Sequence, residues 1–317
     1  MKIRPKRLGY VAVIAFTLGV FMYPLYMFQS IEREITHMKY LVMVVSNPAI
    51  RRPRDLIRRN GYWKYDWKDV NGNLLDWKHY FVVGQSADPA VNEAIYQEAD
   101  ENKDILIGNF EDSYRNLVYK TLWLFEWAVD RFEFDLMIKT DDDVIINMSK
   151  FDGLARLQDL GVPFYGGRRK DLVNVTRSGK WLTTMEEYPE DIFPPYCAGG
   201  GYTLNKLALN ALLKVHRSGV QPVFFTEDAF VGTLASVAKI SPVDLSSTFH
   251  VSDPQRWCDF VSTIVLVLHN VTLDVHETYI ECLHKQGTFC VKASWRGWWP
   301  SNVTSDFCSA GEYVPEP

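Results

Sequence analysis

The sequence lacks an excess of basic residues, internal repeats and low-complexity segments. Its 34 lysines and arginines are outnumbered by 39 aspartates and glutamates, which gives a net charge of −5 at pH 7. Without a basic stripe, the chain is not expected to bind nucleic acid. Hydrophobic residues make up 47% and aromatic residues 14% of its 317 residues, enough for one large α/β domain or two small ones with a real core.

Cysteines are also few, and their number is odd. The five are Cys197, Cys258, Cys282, Cys290 and Cys308. They suit an oxidising compartment, but their spacing does not reveal the pairing, and at least one thiol must be free or intermolecular.

Four N-x-S/T sequons point to the same compartment. The one at Asn147 lies too close to a cluster of acidic residues to be expected to carry a glycan. Glycosylation is expected at the other three, Asn174, Asn270 and Asn302.

An uncharged apolar run near the N-terminus covers residues 8–28. It is long enough to cross a bilayer, which takes about 20 residues, and no small-x-small cleavage site follows it. Basic residues precede it, so the positive-inside rule keeps the N-terminus cytosolic. A cleaved signal peptide is the alternative. The prediction is a cytosolic tail 1–7, a signal-anchor transmembrane helix 8–28, a short stem 29–39 and a lumenal domain 40–317.

Three consecutive aspartates, Asp141, Asp142 and Asp143, form the centre around which the domain is organised. The apolar residues 136–138 and 144–146 on either side predict short buried strands. The aspartates therefore lie at a strand end, where an open α/β sheet binds its ligands. Three adjacent carboxylates repel one another unless a divalent cation is bound to them. The alternative is a solvated acidic turn.

Strands and helices alternate ahead of this cluster. Apolar runs predict strands at 40–47, 79–84 and 104–107, and helices are expected at 91–101 and from Asp112, as N-cap, to Val129. This alternation indicates an α/β fold with a mostly parallel, Rossmann-like sheet flanked by helices. Within one globular domain, residues 40–149 are interpreted as the nucleotide half, and residues 150–317 as the acceptor half with a Cys/Trp-rich tail.

Three further stretches permit both a structural and a functional interpretation. The arginines at 51–59 begin a helix after the first strand, so they either contact phosphates or form an exposed face. The glycines 199–201 either allow close approach of a ligand or form a tight turn before a helix at 205–216. Glu227 and Asp228 lie between aromatic pairs, in a helix start that Thr226 can cap; a carboxylate there can also take a proton from a hydroxyl group.

Two late histidines, His250 and His269, lie nearest the expected site. His269 follows an apolar strand at 261–268, whose end can enter the cleft. A lone histidine is commonly structural, but an imidazole is an acceptable third ligand for a manganese-like ion.

Taken in order, several blocks resemble glycosyltransferase family 31, the β-1,3-galactosyltransferase and β-1,3-N-acetylglucosaminyltransferase group. They cover roughly residues 41–269. The blocks are 57–59, 104–106 with 110–117 and 120–121, 139–144, 178–181, 187–189, 195–202 and 227–232. The usual I-R-x-T-W-G motif is here Ile57-Arg58-Arg59-Asn60-Gly61-Tyr62-Trp63, which puts the first donor contacts in doubt. The tail after Cys258 loosely resembles the branch that adds the second linker galactose of proteoglycans.

The resemblance implies a role for each matching residue. Asp141 and Asp143 form the metal-binding DxD motif, His269 completes the metal side with His250 as a rival, and Asp228 is the general base with Glu227 beside it. The expected donor-side residues are Arg58, Asn116, Lys120 and Asp142. The expected acceptor-side residues are Trp181, Gly199, Gly200 and Gly201.

The resemblance further implies a Golgi type II membrane enzyme with a GT-A fold, which uses Mn²⁺ and a UDP-sugar, with UDP-galactose favoured. Such an enzyme transfers the hexose with inversion to the 3-hydroxyl of an acceptor glycan on a glycoprotein, proteoglycan linker or glycolipid, and forms a β-1,3 linkage. N-acetylglucosamine or N-acetylgalactosamine transfer is the first alternative, and a non-catalytic membrane-anchored relative is the second. The resemblance leaves open whether the protein forms homo-oligomers or hetero-oligomers with other Golgi enzymes.

Overall fold

A computed structural model of the protein describes residues 37–60, 76–146, 161–251, 267–269 and 271. The strands are β1 (His37–Val45), β2 (Trp77–Gln85), β3 (Ile105–Glu111), β4 (Glu133–Asp141), β5 (Ile145–Ile146), β6 (Tyr165–Lys170), β7 (Tyr196–Leu204), β8 (Val243–Asp244), β9 (Phe249–Val251) and β10 (Val267–His269). The helices are α1 (Arg51–Asn60), α2 (Pro89–Asn102), α3 (Leu117–Arg131), α4 (Lys206–Ser218) and α5 (Glu227–Val237).

The main sheet of the described chain has the strand order β3-β2-β1-β4-β7-β6-β8. Strands β1 to β4 are parallel, which confirms the predicted alternation. Strands β6 and β7 continue the same sheet in antiparallel pairing. The register pairs Val45 with both Val82 and Asp141, so the carboxyl ends of β1, β2 and β4 meet at one edge. A mixed, mostly parallel sheet therefore places the first aspartate of the cluster at this edge, as the sequence predicts.

Helix α3 packs one apolar stripe on the sheet, because Val118, Leu122 and Phe125 recur at helical spacing and are buried. The prediction that Asp112 caps this helix is wrong. The Asp112 carboxylate accepts a hydrogen bond from the backbone N–H of Gly84 at 2.6 Å, and the helix begins after a short 3₁₀ turn at Tyr114–Asn116.

Helices α4 and α5 lie close to their predicted bounds. Asn205 caps α4, since its side chain accepts from the backbone N–H of Ala208 at 2.9 Å. Thr226 precedes α5 but makes no capping bond through its side chain; its hydroxyl instead bonds to that of Thr183 at 3.0 Å. The start of α5 is thereby tied to a loop from elsewhere in the chain.

Several sequence predictions fall outside the described residues. These are the transmembrane segment 8–28 and nearly all of the stem, sequons Asn147, Asn270 and Asn302, and cysteines Cys258, Cys282, Cys290 and Cys308. Asn174 is exposed, as a glycan acceptor must be, and Cys197 is a buried free thiol. A search of the described helices found none both long and apolar enough to cross a membrane.

Candidate active site

The acidic cluster forms a tight turn between β4 and β5. The last residue of β4 is Asp141, and Asp142 and Asp143 make the turn before the two buried isoleucines of β5. The buried strands on both sides fix the turn at the carboxyl edge of the sheet. The alternative of a freely solvated acidic turn does not fit, because all three aspartates are partly buried.

Asp141 and Asp143 meet His269 at this edge. One candidate ligand atom from each of the three residues lies within 4.8 Å of the others. His269 Nε2 is 3.6 Å from Asp143 Oδ1, and that buried oxygen has no hydrogen-bond partner among the described residues. Burial raises the pKa of Asp143, an effect that the nearby His269 opposes. A divalent cation would satisfy the oxygen and offset the repulsion, and two carboxylates with one imidazole suit a manganese-like ion.

His269 reaches the aspartates through the small sheet β5-β10-β9. Strand β10 pairs antiparallel with β5, which directly follows the aspartate turn. The side chain of the rival ligand, His250, lies outside the described part of the structure. Gly200 on β7 makes room for the imidazole, because a Cβ there would lie 2.1 Å from His269 Cγ. Gly200 is therefore a packing partner of a candidate metal ligand.

Replacing Gly200 with alanine should displace His269 and weaken Mn²⁺ binding by about 10- to 100-fold, as for other changes that misplace a metal ligand. Calorimetric titration of the full chain with Mn²⁺ measures the effect. The double variant Gly200→Ala/His269→Ala is the control, since it relieves the clash and should match His269→Ala in affinity. Wild-type affinity in Gly200→Ala would show that the imidazole does not bind the ion.

A fully buried lysine, Lys139, lies behind the metal-side carboxylates. Its Nζ donates to Asp141 Oδ1 and to the carbonyl oxygen of Gly199, both at 2.8 Å, and is 3.6 Å from Glu227 Oε2. Burial lowers the pKa of Lys139, but Asp141 and Glu227 outweigh burial, so that the pKa is raised and the ammonium stays charged. One cation thus connects the metal side, the glycine strand and the start of α5.

Asp228 lies in the first turn of α5, with both carboxylate oxygens held by backbone groups. The N–H of Gly199 donates to Oδ2 and the N–H of Ala229 donates to Oδ1, each at 2.9 Å. Burial raises the pKa of Asp228 to about 6, with a contribution from Glu227, while these hydrogen bonds and Lys139 act in the opposite direction. A fixed carboxylate with this pKa can accept a proton near neutral pH.

Glu227 points away from its neighbour Asp228 and into the protein. Tyr202 donates its hydroxyl proton to Glu227 Oε1 at 2.6 Å, and the other oxygen faces Lys139. The carboxylate of Glu227 is buried. Its contacts indicate that it neutralises the charge of Lys139 and positions the start of α5. Its predicted catalytic role is untested.

Asp142 turns towards β1, where Ser46 donates its hydroxyl to Asp142 Oδ2 at 2.6 Å. Ser46 in turn accepts from Arg54 at 3.0 Å, and its carbonyl oxygen accepts from Lys120 Nζ at 2.9 Å. Burial raises the pKa of Asp142 to about 6. Asp142 is therefore held by a buried polar network, with Arg54 bonded bidentately to Glu98 behind it.

Of the predicted donor-side residues, Lys120 and Asp142 both bond to Ser46. The guanidinium of Arg58 is bonded to Asp104, Glu98 and Asp55, so its charge is already paired, and its predicted donor-side role stays a prediction. Lys120 is buried against Asp112 and Ser46, which makes it a support for the edge.

Asn116 and Trp181 are further residues that the sequence assigns to the donor side and the acceptor side. Asn116 is partly exposed and donates to the carbonyl oxygen of Glu111 at 3.0 Å, which leaves it near the edge but engaged with its own loop. Trp181 is exposed on a 3₁₀ turn, Gly179–Trp181, where the positive φ of Gly179 sets the turn. The glycines 199–201 form part of β7 and are not a turn.

Sequence reasoning missed the residues that support the site from within. Lys139 and Asp141 are two positions apart on one strand and so share a face, a signal the sequence carries. Arg54 belongs to the basic run that the sequence did single out. Ser46 and Tyr202 carry no signal of their own, because their partners come from other strands and helices.

The chain is similar in sequence to known proteins. The family model described as "Galactosyltransferase" matches residues 53–246. The chain is 32% identical over 197 residues to human beta-1,3-galactosyltransferase 5, covering 61% of each chain. It is 26% identical over 220 residues to mouse beta-1,3-galactosyltransferase 1, covering 66% of this chain and 65% of the relative. The chain thus spans less than two thirds of these relatives' length.

Among solved structures, the chain matches that of the galactosyltransferase LgtC in complex with donor and acceptor sugar analogues. It is 14% identical to this chain, covers 81% of it and 99% of its own chain, and gives a TM-score of 0.38.

Proposed function

Because the chain belongs to the galactosyltransferase family, we propose that it is a metal-dependent, inverting glycosyltransferase with a GT-A fold. It transfers a hexose, with galactose favoured, from a UDP-sugar to the 3-hydroxyl of an acceptor glycan and forms a β-1,3 linkage. The observation that carries the proposal is the cluster of Asp141, Asp143 and His269, which Lys139 and the Gly199 backbone connect to the candidate base Asp228. The relatives named beta-1,3-galactosyltransferase support the linkage and the donor.

Each group has one task in this reaction. Asp141, Asp143 and His269 would hold Mn²⁺, which when bound draws negative charge from the diphosphate leaving group. Asp228 accepts the proton of the acceptor hydroxyl as that oxygen attacks the anomeric carbon from the face opposite the leaving group. One displacement turns an α-linked donor sugar into a β-linked product. Lys139 keeps Asp141 and the Gly199 backbone in fixed relation, so the donor and acceptor groups are pre-oriented.

The cellular setting belongs to the same proposal. The apolar run 8–28 anchors the protein in the Golgi membrane with the N-terminus cytosolic and the catalytic domain lumenal. The sequons and the cysteines support a lumenal location, and the acceptor is a glycan on a glycoprotein, proteoglycan linker or glycolipid. Transfer of an N-acetylhexosamine is the alternative, and it keeps the mechanism unchanged.

UDP release by the detergent-solubilised full chain tests the proposal. With simple glycoside acceptors and a panel of UDP-sugars, we expect turnover that requires Mn²⁺ and is abolished by a chelator. Asp143→Asn should lose turnover because it removes a metal ligand. The matched control is Asp171→Asn, whose carboxylate is exposed and bonded to Arg169. Folded protein that releases no UDP from any donor would refute the enzyme and favour a membrane-anchored binding protein.

A further inference from the structure

An exposed aromatic surface lies beside the start of α5. It is formed by Tyr114 and Trp181, with the buried Phe225 packed against Tyr114, and the three residues are named here the aromatic platform. Tyr114 and Trp181 are 50% and 54% exposed, and Trp181 Nε1 donates to the Tyr114 hydroxyl at 3.0 Å. Phe225 is buried below them, with its ring centre 5.4 Å from that of Tyr114 at an angle of 71°. Two large rings are thus joined by a hydrogen bond, and about half of the surface of each residue is open to solvent.

The platform adjoins the general base. Phe225 comes three residues before Asp228, so their Cα atoms are at most about 11 Å apart at 3.8 Å per residue. The hydrogen bond between the hydroxyl groups of Thr183 and Thr226 connects the segment that follows Trp181 to the residue that precedes α5. A saccharide lying on the platform would therefore extend towards Asp228.

Two cations lie on the rings of the platform. Lys180 Nζ is 4.9 Å from the ring centre of Tyr114 and 5.5 Å from that of Trp181. Arg115 Cζ is 4.8 Å from the ring centre of Phe225. Contact with an aromatic face holds a cation in place without neutralising it. Both side chains are exposed, and neither forms an ion pair with a carboxylate in the described ranges.

Three other cations of the described chain are paired with carboxylates instead. The half-buried Arg169 and Lys206 are bonded to Asp171 and Glu133, and the exposed Arg217 is bonded to Glu126. Lys180 and Arg115 instead leave two positive charges available at a site built for a flat, apolar face. A sugar ring offers such a face, and a carboxylate or sulfate on it supplies the missing anion.

We propose that the aromatic platform is an acceptor subsite, and that Lys180 and Arg115 select an acceptor saccharide bearing an anionic group. The sugar that receives the new linkage lies at Asp228, and the next sugar stacks on Trp181 and Tyr114 with its carboxylate or sulfate between the two cations. This inference rests on the proposed glycosyl transfer and specifies its acceptor.

Three disaccharides of one linkage test the proposal with the full chain. They are galactose β-1,4-linked to glucose, to glucuronate and to glucose 6-sulfate, so the second ring carries no charge, a carboxylate or a sulfate ester. At low ionic strength we expect kcat/KM for a charged disaccharide to exceed that for the neutral one about fivefold, the value of one favourable ion pair at a partly exposed site. The two charged arms distinguish a uronate from a sulfated acceptor.

Variants separate charge from stacking. Lys180→Gln should lower the charged-to-neutral ratio, and Lys180→Gln/Arg115→Gln should bring it close to one, as should added salt. Trp181→Ala should instead lower kcat/KM for all three about tenfold by removing a contact surface. Lys214→Gln, an exposed lysine on α4, is the matched control and should change neither quantity. Equal use of the three disaccharides, or a ratio that Lys180→Gln leaves intact, would overturn the proposal.

The platform can also be tested if transfer itself fails. Absence of UDP release with every donor would refute the proposed reaction and not the subsite. In that case, calorimetric titration of the full chain with the same three disaccharides tests whether the platform binds an anionic saccharide. Tighter binding of the charged pair that is lost in Lys180→Gln supports the subsite for a binding protein, and equal or absent binding overturns it.

Discussion

Replacing Asp228 with asparagine should lower kcat by about 10²- to 10⁴-fold, the usual contribution of a positioned general base. The amide cannot accept the proton of the attacking hydroxyl. The two backbone N–H groups that now hold the carboxylate would still position the side chain, with one hydrogen bond lost. Steady-state UDP release with saturating donor and acceptor measures the change, and the KM values should move little.

The pH dependence provides a second measurement on the same residue. The pKa of Asp228 is raised to about 6, chiefly by burial. Because the base acts in its deprotonated form, activity should fall as pH drops through about 6, and one unit lower roughly a tenth of the base is active. The residual activity of Asp228→Asn should lack this acidic limb.

Asp244→Asn serves as the matched control for Asp228→Asn. Asp244 also accepts from a backbone N–H, that of Ser246 at 3.0 Å, but it is exposed and outside the candidate site. It should keep wild-type kcat and the same pH profile. If Asp228→Asn retained full activity with a native circular dichroism spectrum, Asp228 would be a structural residue of α5 and another base would be required.

Replacing Lys139 with methionine should destabilise the fold by about 3–5 kcal/mol, the usual cost of removing one partner from a buried ion pair. Asp141 and Glu227 would lose their shared counter-charge, and the Gly199 carbonyl would lose a donor. Urea unfolding of the full chain, followed by tryptophan fluorescence, measures the free energy of unfolding.

A second substitution identifies the cause of that loss. Adding Glu227→Gln to Lys139→Met removes one of the two unpaired charges and should recover part of the stability, which a double-mutant cycle quantifies. Lys206→Met is the control, because its partner Glu133 is exposed and such pairs contribute at most about 1 kcal/mol. A Lys139→Met loss no larger than that of Lys206→Met would refute the role given to the buried ammonium.

The sequence predicted the parts of the site that depend on short-range pattern. The apolar runs on both sides of Asp141 gave the strands, and strand ends of a parallel sheet define the edge where ligands bind. Asp228 and Glu227 were singled out because acids between aromatic residues are costly without a purpose. His269 was placed by the strand that precedes it, and the structure brings it to Asp141 and Asp143.

Residues whose partners are far away in the chain were harder to interpret. The basic run at 51–59 permits phosphate contact or an exposed helix face, and the family resemblance implies the donor-side role of Arg58. Its carboxylate partners, Glu98 and Asp104, lie at and beyond the end of α2, and no spacing rule connects them to it. The sequence assigns no role to Lys139, because the partners of its ammonium, Gly199 and Glu227, come from a distant strand and helix. Buried charge networks are tertiary features, so local propensity does not reveal them.

The pairing of β10 with β5 has a consequence for the order in which the protein matures. The two aspartates emerge from the ribosome long before His269, and the imidazole reaches them only when β10 docks against the strand that follows the turn. Until then the nascent domain carries an incomplete set of the candidate metal ligands and an unpaired strand edge. Binding of the ion would thus occur late in biosynthesis. It would stabilise only those chains in which β10 has already paired with β5.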